Sequence, residues 1–136
     1  MQAEDIRALS EIRLEHAEEC LETAKKIMAL GDYKSAANRS YYAIYHAMRA
    51  VLALDGIDKK RHSGIISEFR RMYIKTGVFD SKMSSIISNL FDIRTSSDYD
   101  DFFIIAKEDV EKQVEEAEVF VNSVKAYLAR RLTEEG

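Results

Sequence analysis

Residues 36–53 read AANRSYYAIYHAMRAVLA, and their spacing decides the fold. At ~100° per residue, Ala36, Ala43, Ile44, Ala47, Met48 and Val51 gather on one side of a helix. Arg39, Tyr42, His46 and Arg49 follow one another at spacings of three, four and three. That places them in one stripe roughly opposite the apolar side. A helix that only packs on a core offers Lys and Glu to solvent there. This one offers two arginines, a histidine and a tyrosine, flanked by Tyr41 and Tyr45, so its second face is built to meet something.

Composition agrees with a helical reading. The chain has no proline and only five glycines among 136 residues, whereas a sheet protein needs turn chemistry every ~8–12 residues. An all-α fold is expected, an up-and-down bundle of four to five helices forming a single domain over 1–136. Formal net charge is −4, so no global basic field points to DNA, and no specific DNA partner is expected. The single cysteine, Cys20, has no internal disulfide partner, and no zinc-ligand spacing occurs. No metal site or cofactor is expected. With no signal peptide and no apolar run near ~20 residues, the chain reads as cytoplasmic, with no membrane partner.

Before the opening stretch, a helix is expected from about Asp5 to Leu30, with Leu14, Ala17, Leu21, Ala24 and Met28 as its seam. Gly31 is a left-handed C-terminal cap and Asp32 caps the next helix, so the two fold back antiparallel. His16, among Glu15, Glu18 and Glu19, reads as solvated. Gly56 ends the second helix. A basic connection follows with Lys59, Lys60, Arg61 and His62, the first place to look for phosphate contacts. His62 reads as a helix cap, since no acidic orienter or nucleophile-elbow sequence accompanies the His62–Ser63 pair.

A third helix is expected from Gly64 to about Ile74, closed by Gly77. Ser81 is the N-cap of a fourth, whose buried stripe is Met83, Ile86, Ile87, Leu90 and Phe91. Arg94 arrives on that stripe and demands a carboxylate or a phosphate; Asp98, four residues on, answers it if the helix continues. The last helix starts near Lys107, with Val110, Val114, Ala117, Val121, Val124 and Leu128 as a seam for the first helix. The tail after about 130 carries no seam and is expected to fray.

Three stretches carry a family likeness: NRSYYAIYHAMRAVLALDG (38–56), KRHSGIISEF (60–69) and FDIRTSSDYDDF (91–102) before a long acidic helix. Together they resemble the HEPN domains of prokaryotes, over nearly the whole chain. The resemblance implies a helical homodimer in genetic company with a minimal nucleotidyltransferase, as in toxin–antitoxin pairs. It also implies a metal-independent ribonuclease with its active site at the dimer interface. The family signature is an arginine followed, four to six residues on, by histidine. Arg39 and His46, with six residues between them, formally fit. In toxin-like members the motif lies late in the chain, where this sequence has Arg94 but Tyr99 in place of the histidine.

The candidate catalytic residues are therefore Arg39, His46 and Arg94. Histidine moves protons near neutral pH and arginine holds phosphate through its fork of donors. Candidate binding residues are Tyr42, Arg49, Asp98, Tyr99, Lys60 and His62. The functional expectation is an RNA- or nucleotide-binding homodimer, a ribonuclease toxin component paired with a nucleotidyltransferase antitoxin. Beside it stands a non-catalytic module whose second-helix face binds the nucleotidyltransferase or its own copy. On that reading Arg94–Asp98 is a structural ion pair and Tyr41, Tyr42 and Tyr45 pack across the dimer.

Overall fold

The computed structural model describes residues 2–135, and among them are helices and no strand. Helix α1 is Ala3–Ala29 and α2 is Tyr33–Ala53. Helix α3, His62–Phe69, runs on into a π-helical turn, Arg70–Ile74. Helix α4 is Lys82–Tyr99 and α5 is Lys107–Glu135. No helix among the described residues is long and apolar enough to cross a membrane.

The turn between α1 and α2 follows the expected chemistry. Gly31 takes φ +83°, a left-handed conformation that costs a glycine little. Asp32 then accepts a hydrogen bond from the Ser35 N–H and caps α2. The two helices run antiparallel, with Ser10 donating to the Ala50 carbonyl at 2.7 Å and Arg13 to the Arg49 carbonyl at 3.3 Å.

Helix α2 is the centre of the bundle. Thirteen of its 21 residues are buried, against five of 27 in α1, too many for one apolar stripe. Helices α1, α3, α4 and α5 all pack on it. Tyr41 and Tyr45 are 0% and 7% exposed, so these two belong to the core rather than to an outward dimer surface. The α5 seam is buried throughout, from Val110 to Leu128, and it rests more on α2 than on α1. Along the α1 edge, Lys25 meets Glu118 at 2.8 Å and Lys125 meets Glu18 at 3.6 Å.

Four local expectations change. Helix α3 begins at His62, with Arg61 in extended conformation before it and no side-chain cap. Its last turn is π-helical, Lys75 N–H donating to the Arg70 carbonyl five residues back. Ser81 makes no side-chain cap to α4; Asp80 accepts from the Lys82 N–H instead. Helix α5 runs on through the segment expected to fray, while Gly136 lies outside the described residues.

Arg131 explains how the end of α5 is held. Its guanidinium donates to Asp55 at 3.1 Å, to the Tyr73 hydroxyl at 2.8 Å and to Tyr127 at 3.1 Å. Tyr73 also donates to Asp55, so one carboxylate ties the end of α2 to the π turn and α5. Asp55 and Arg131 side chains are 17% and 19% exposed. Replacing one partner of a buried pair costs about 3–5 kcal/mol. With this residual exposure, Asp55→Asn is expected to cost about 2–3 kcal/mol by urea denaturation. A change within ~0.5 kcal/mol would show that the pair does not hold the helix ends together.

Candidate functional site

Three tyrosines within little more than one turn of α2, Tyr41, Tyr42 and Tyr45, build the floor of the site. Tyr41 and Tyr45 stack at 6.1 Å, and Tyr42 stands edge-on to both. His62, the first residue of α3, lies flat on Tyr45 with centroids 4.0 Å apart. Its Nδ1 shares a hydrogen bond with the Tyr41 hydroxyl at 2.7 Å. Burial pushes the Tyr41 phenol well up, against the pull of Arg94. Burial also lowers the His62 pKa, and Arg94 and Arg49 lower it further. The pair is thus a neutral hydroxyl beside a neutral imidazole.

Arg94 reaches this floor from α4. Its guanidinium carbon is 5.3 Å and 5.5 Å from the Tyr41 and Tyr42 ring centroids, within cation–π range. Nη2 donates to the Tyr42 hydroxyl at 3.2 Å, and Nε lies 3.0 Å from Asp98 Oδ2. Helix α4 continues far enough for Asp98 to answer the arginine at i,i+4 spacing.

One turn after Tyr42, His46 occupies a more demanding position. The exposed His16 ring of α1 meets it edge-on at 5.7 Å, and Tyr42 and Tyr45 lie within about 6 Å. Its Nδ1 is buried, with no hydrogen-bond partner among the described residues. Burial first, then Arg49, His16, Arg13 and His62, pushes its pKa down to about 4.

Arg49 sits over Tyr45 at 5.7 Å, with Nη2 3.6 Å from Asp58 Oδ1. The same oxygen lies 3.5 Å from Arg13 Nη2. Burial lowers the Arg13 pKa, Arg49 adds to that, and Asp58 opposes both. Asp58 is itself 64% exposed, so one solvated carboxylate bridges two arginines. Lys59 and Lys60 complete a cleft of about 420 Å³ with Tyr45, Arg49 and Asp58. A chain of net charge −4 has thus gathered excess positive charge on one face of α2.

The structure brings His46, Tyr42, Arg49, His62, Arg94 and Asp98 into one patch. Arg39 lies elsewhere: seven residues from His46, it is about 10 Å away along the helix axis. It is exposed, it opposes the upward push of burial on the Cys20 thiol, and it lines a groove with Lys34 that shares only Asp98 with the patch. The Arg39–His46 spacing therefore corresponds to one face of α2 without contact. Tyr99 is 78% exposed at the end of α4, and Lys60 stands on the rim. His62 joins the aromatic stack rather than capping α3.

Arg13 and Asp58 escaped the sequence reading, while His16 is exposed as expected and also sets its ring edge-on to His46. A signal existed for Arg13, because Ser10 and Arg13 extend the buried stripe Ala17–Leu21–Ala24 at three and four spacing. An arginine on a buried stripe raises the same demand as Arg94. Among the described residues, no three His, Cys, Asp or Glu side chains are grouped to hold a metal ion.

Comparison with known proteins places the chain in a family. The model of the HEPN domain matches residues 10–127. Two Methanocaldococcus jannaschii proteins, each named "Putative toxin", are similar to the chain. One is 34% identical over 125 residues, covering 92% of this chain and 90% of its own. The other is 31% identical over 115 residues, covering 85% and 78%. A crystal structure of an archaeal HEPN homologue superposes with TM-score 0.69 over 88% of this chain and 97% of that one, at 22% identity.

The state of His46 has a measurable consequence. An unfolded histidine titrates near 6.5 and the folded one near 4. Between those values the unfolded chain takes up a proton that the folded chain refuses. The stabilisation from keeping His46 neutral is therefore full above about 6.5 and is lost as pH falls towards 4. The His46 ring resonance is expected to titrate with a midpoint near 4, and His46→Gln should lose less stability than wild type across this window. A midpoint at the ordinary histidine value would contradict the burial argument.

Proposed function

The chain belongs to the HEPN domain family, and on that premise we propose that it is an RNA-binding homodimer that cleaves RNA without metal, as the toxin component of a pair with a nucleotidyltransferase antitoxin. The observation that carries the reading is His46: a neutral imidazole with a buried, unpartnered Nδ1, beside arginines that outnumber their carboxylate. Relatives that carry a toxin name support the same direction.

The proposed chemistry needs one proton acceptor and a charge clamp. His46 takes the proton of the ribose 2′-hydroxyl, and the 2′ oxygen attacks phosphorus. The bond from phosphorus to the 5′ oxygen breaks, and that oxygen takes a proton from water. The products are a 2′,3′-cyclic phosphate and a 5′-hydroxyl. Arg49 and Arg94 hold the non-bridging oxygens as charge accumulates there. A base of pKa about 4 is weak at neutral pH. A phosphate arriving beside Arg49 offsets the cations that depress it and moves His46 towards the useful range.

Incubating the purified protein with a mixed RNA pool in chelator tests this. Wild type is expected to cleave; His46→Ala should lose about 10²–10⁴-fold, the usual contribution of a positioned base, and Arg94→Ala should also fall. Absence of cleavage by wild type would defeat the enzyme reading. A second reading, the non-catalytic module, is favoured by one observation: Tyr99 stands where the late family motif has histidine. It gains if RNA is untouched while a nucleotidyltransferase still binds.

The dimer is tested separately. Light scattering should give about twice the 15.6 kDa chain mass. Tyr45 is a poor probe of the interface, because at 7% exposure a charge there would break the core. Phe102 and Ile104, 93% and 90% exposed after the Arg94–Asp98 turn, are the better probes. Phe102→Glu with Ile104→Glu should give a folded monomer; a monomeric wild type at micromolar concentration would contradict the dimer.

A further inference from the structure

The hydrogen bonds between α1 and α2 set the register of the two helices. Ser10 reaches the Ala50 carbonyl and Arg13 the Arg49 carbonyl, so the next turn of α1 brings His16 level with His46. Their ring centroids lie 5.7 Å apart, with an interplanar angle of 71°. The two imidazoles have different surroundings. His46 is half-buried beside Tyr42 and Tyr45, and its Nδ1 is shut off from solvent. His16 is exposed and makes no hydrogen bond or ion pair with any of the described residues.

Attack by a 2′-hydroxyl calls for two proton transfers on opposite sides of phosphorus. The attacking and leaving oxygens stand roughly in line, so the group that accepts the first proton faces away from the oxygen that needs the second. Most donors of the patch are already committed. The Tyr41 hydroxyl shares its bond with His62 Nδ1, and the Tyr42 hydroxyl accepts from Arg94. The guanidinium groups hold phosphate well but do not give up a proton. Lys59 and Lys60 belong to the cleft with Arg49 and Asp58, which neither histidine lines. His16 alone of these groups has ring nitrogens that are uncommitted, open to solvent and next to His46.

We propose that His16 is the general acid opposite His46, giving its ring proton to the departing 5′ oxygen. The inference rests on the ribonuclease reading and puts a side chain in place of the water of that step. His46 takes the proton of the 2′-hydroxyl, and the 2′ oxygen forms its bond to phosphorus. The bond to the 5′ oxygen breaks, and its electron pair takes up the His16 proton. The step leaves His46 protonated and His16 neutral, and exchange with water restores both. Rings 5.7 Å apart are spanned by one phosphoryl group whose two oxygens each need hydrogen-bond reach of about 2.6–3.2 Å. The division of labour follows the surroundings: burial and nearby cations keep His46 neutral as the acceptor, and the solvated ring exchanges protons freely. Acid and base then come from one protomer, on neighbouring helices.

Cleavage of an RNA hexamer is compared, in chelator, with cleavage of the same hexamer carrying a bridging 5′ sulfur at one linkage. A thiol ionises near ~8.5 and an alcohol resembles water at ~15.7, so sulfur leaves without a proton and oxygen does not. His16→Ala is expected to slow cleavage at oxygen by about 10²-fold or more and to leave cleavage at sulfur nearly intact. His16→Gln, which keeps a polar side chain but has no proton to give, should match it. His46→Ala should lose both substrates. His16 is exposed, so both of its variants are expected to fold, as circular dichroism checks. Equal losses at oxygen and sulfur, or no loss at either, overturn the assignment. Titration with inorganic phosphate, followed by the ring resonances of both histidines, should move the two with one affinity; a shift of His46 alone also overturns it. A wild type that cleaves through His46 yet ignores both His16 changes removes this inference and leaves the ribonuclease standing. A wild type that cleaves neither substrate removes both.

Discussion

A helix enclosed by four others has few directions in which it can point a charge. In α2 the neighbours cover Tyr41, Ile44, Tyr45 and Met48, so its polar side chains emerge along one strip, from Arg39 near Asp98 of α4 to Arg49 near the start of α3. Each cation there needs local compensation, because the site is half out of water. Arg94 finds it in two ring faces and Asp98; Arg49 finds it in the Tyr45 ring and in an Asp58 shared with Arg13. The aromatic rings therefore act twice, as core on one edge and as counter-charge on the other.

What was legible in the sequence was whatever repeats within one helix. The α5 seam, the Gly31–Asp32 turn and the Arg94–Asp98 pair all follow from spacings of a few residues, and all are present. A helical wheel, however, knows nothing of neighbours. It set Tyr41 and Tyr45 beside an outward stripe, whereas α3 and α4 bury them with His62 and Phe91. Likewise, the spacing of seven between Arg39 and His46 fixes a shared face but also two turns of separation. Asp58 is bound to Arg13 across a loop, a relation that no local period encodes. His16 is exposed, as its glutamate neighbours suggested, but that local pattern says nothing of the ring contact it makes with His46.

The π turn shows how an irregular backbone can matter more than composition. Arg70, Arg71 and Lys75 fall at the end of a helix that the sequence presents as regular. Only the added residue per turn brings the first and last of them to one wall of a cleft between α3 and α4. Tyr73, inside the same turn, faces the opposite way and joins Asp55 and Arg131. The turn is thus anchored on its core side by a hydrogen-bonded network, which holds the irregular geometry against relaxation to a regular helix.

The same cations that would attract an anion keep His46 from holding a proton. Arg49, Arg13, His16 and His62 all act on it in one direction, after burial has done most of the work. Binding and protonation are linked, so an anion that raises the affinity of His46 for a proton is itself bound more tightly once the proton is there. At neutral pH this imidazole carries no charge, and its Nδ1 has no hydrogen-bond partner among the described residues. On the proposed reading, an arriving phosphodiester would find guanidinium groups already ordered on their rings, with the neutral His46 ring beside them. The entropy of fixing those arginines has been met in folding, and the aromatic floor that fixes them is the buried face of α2 itself.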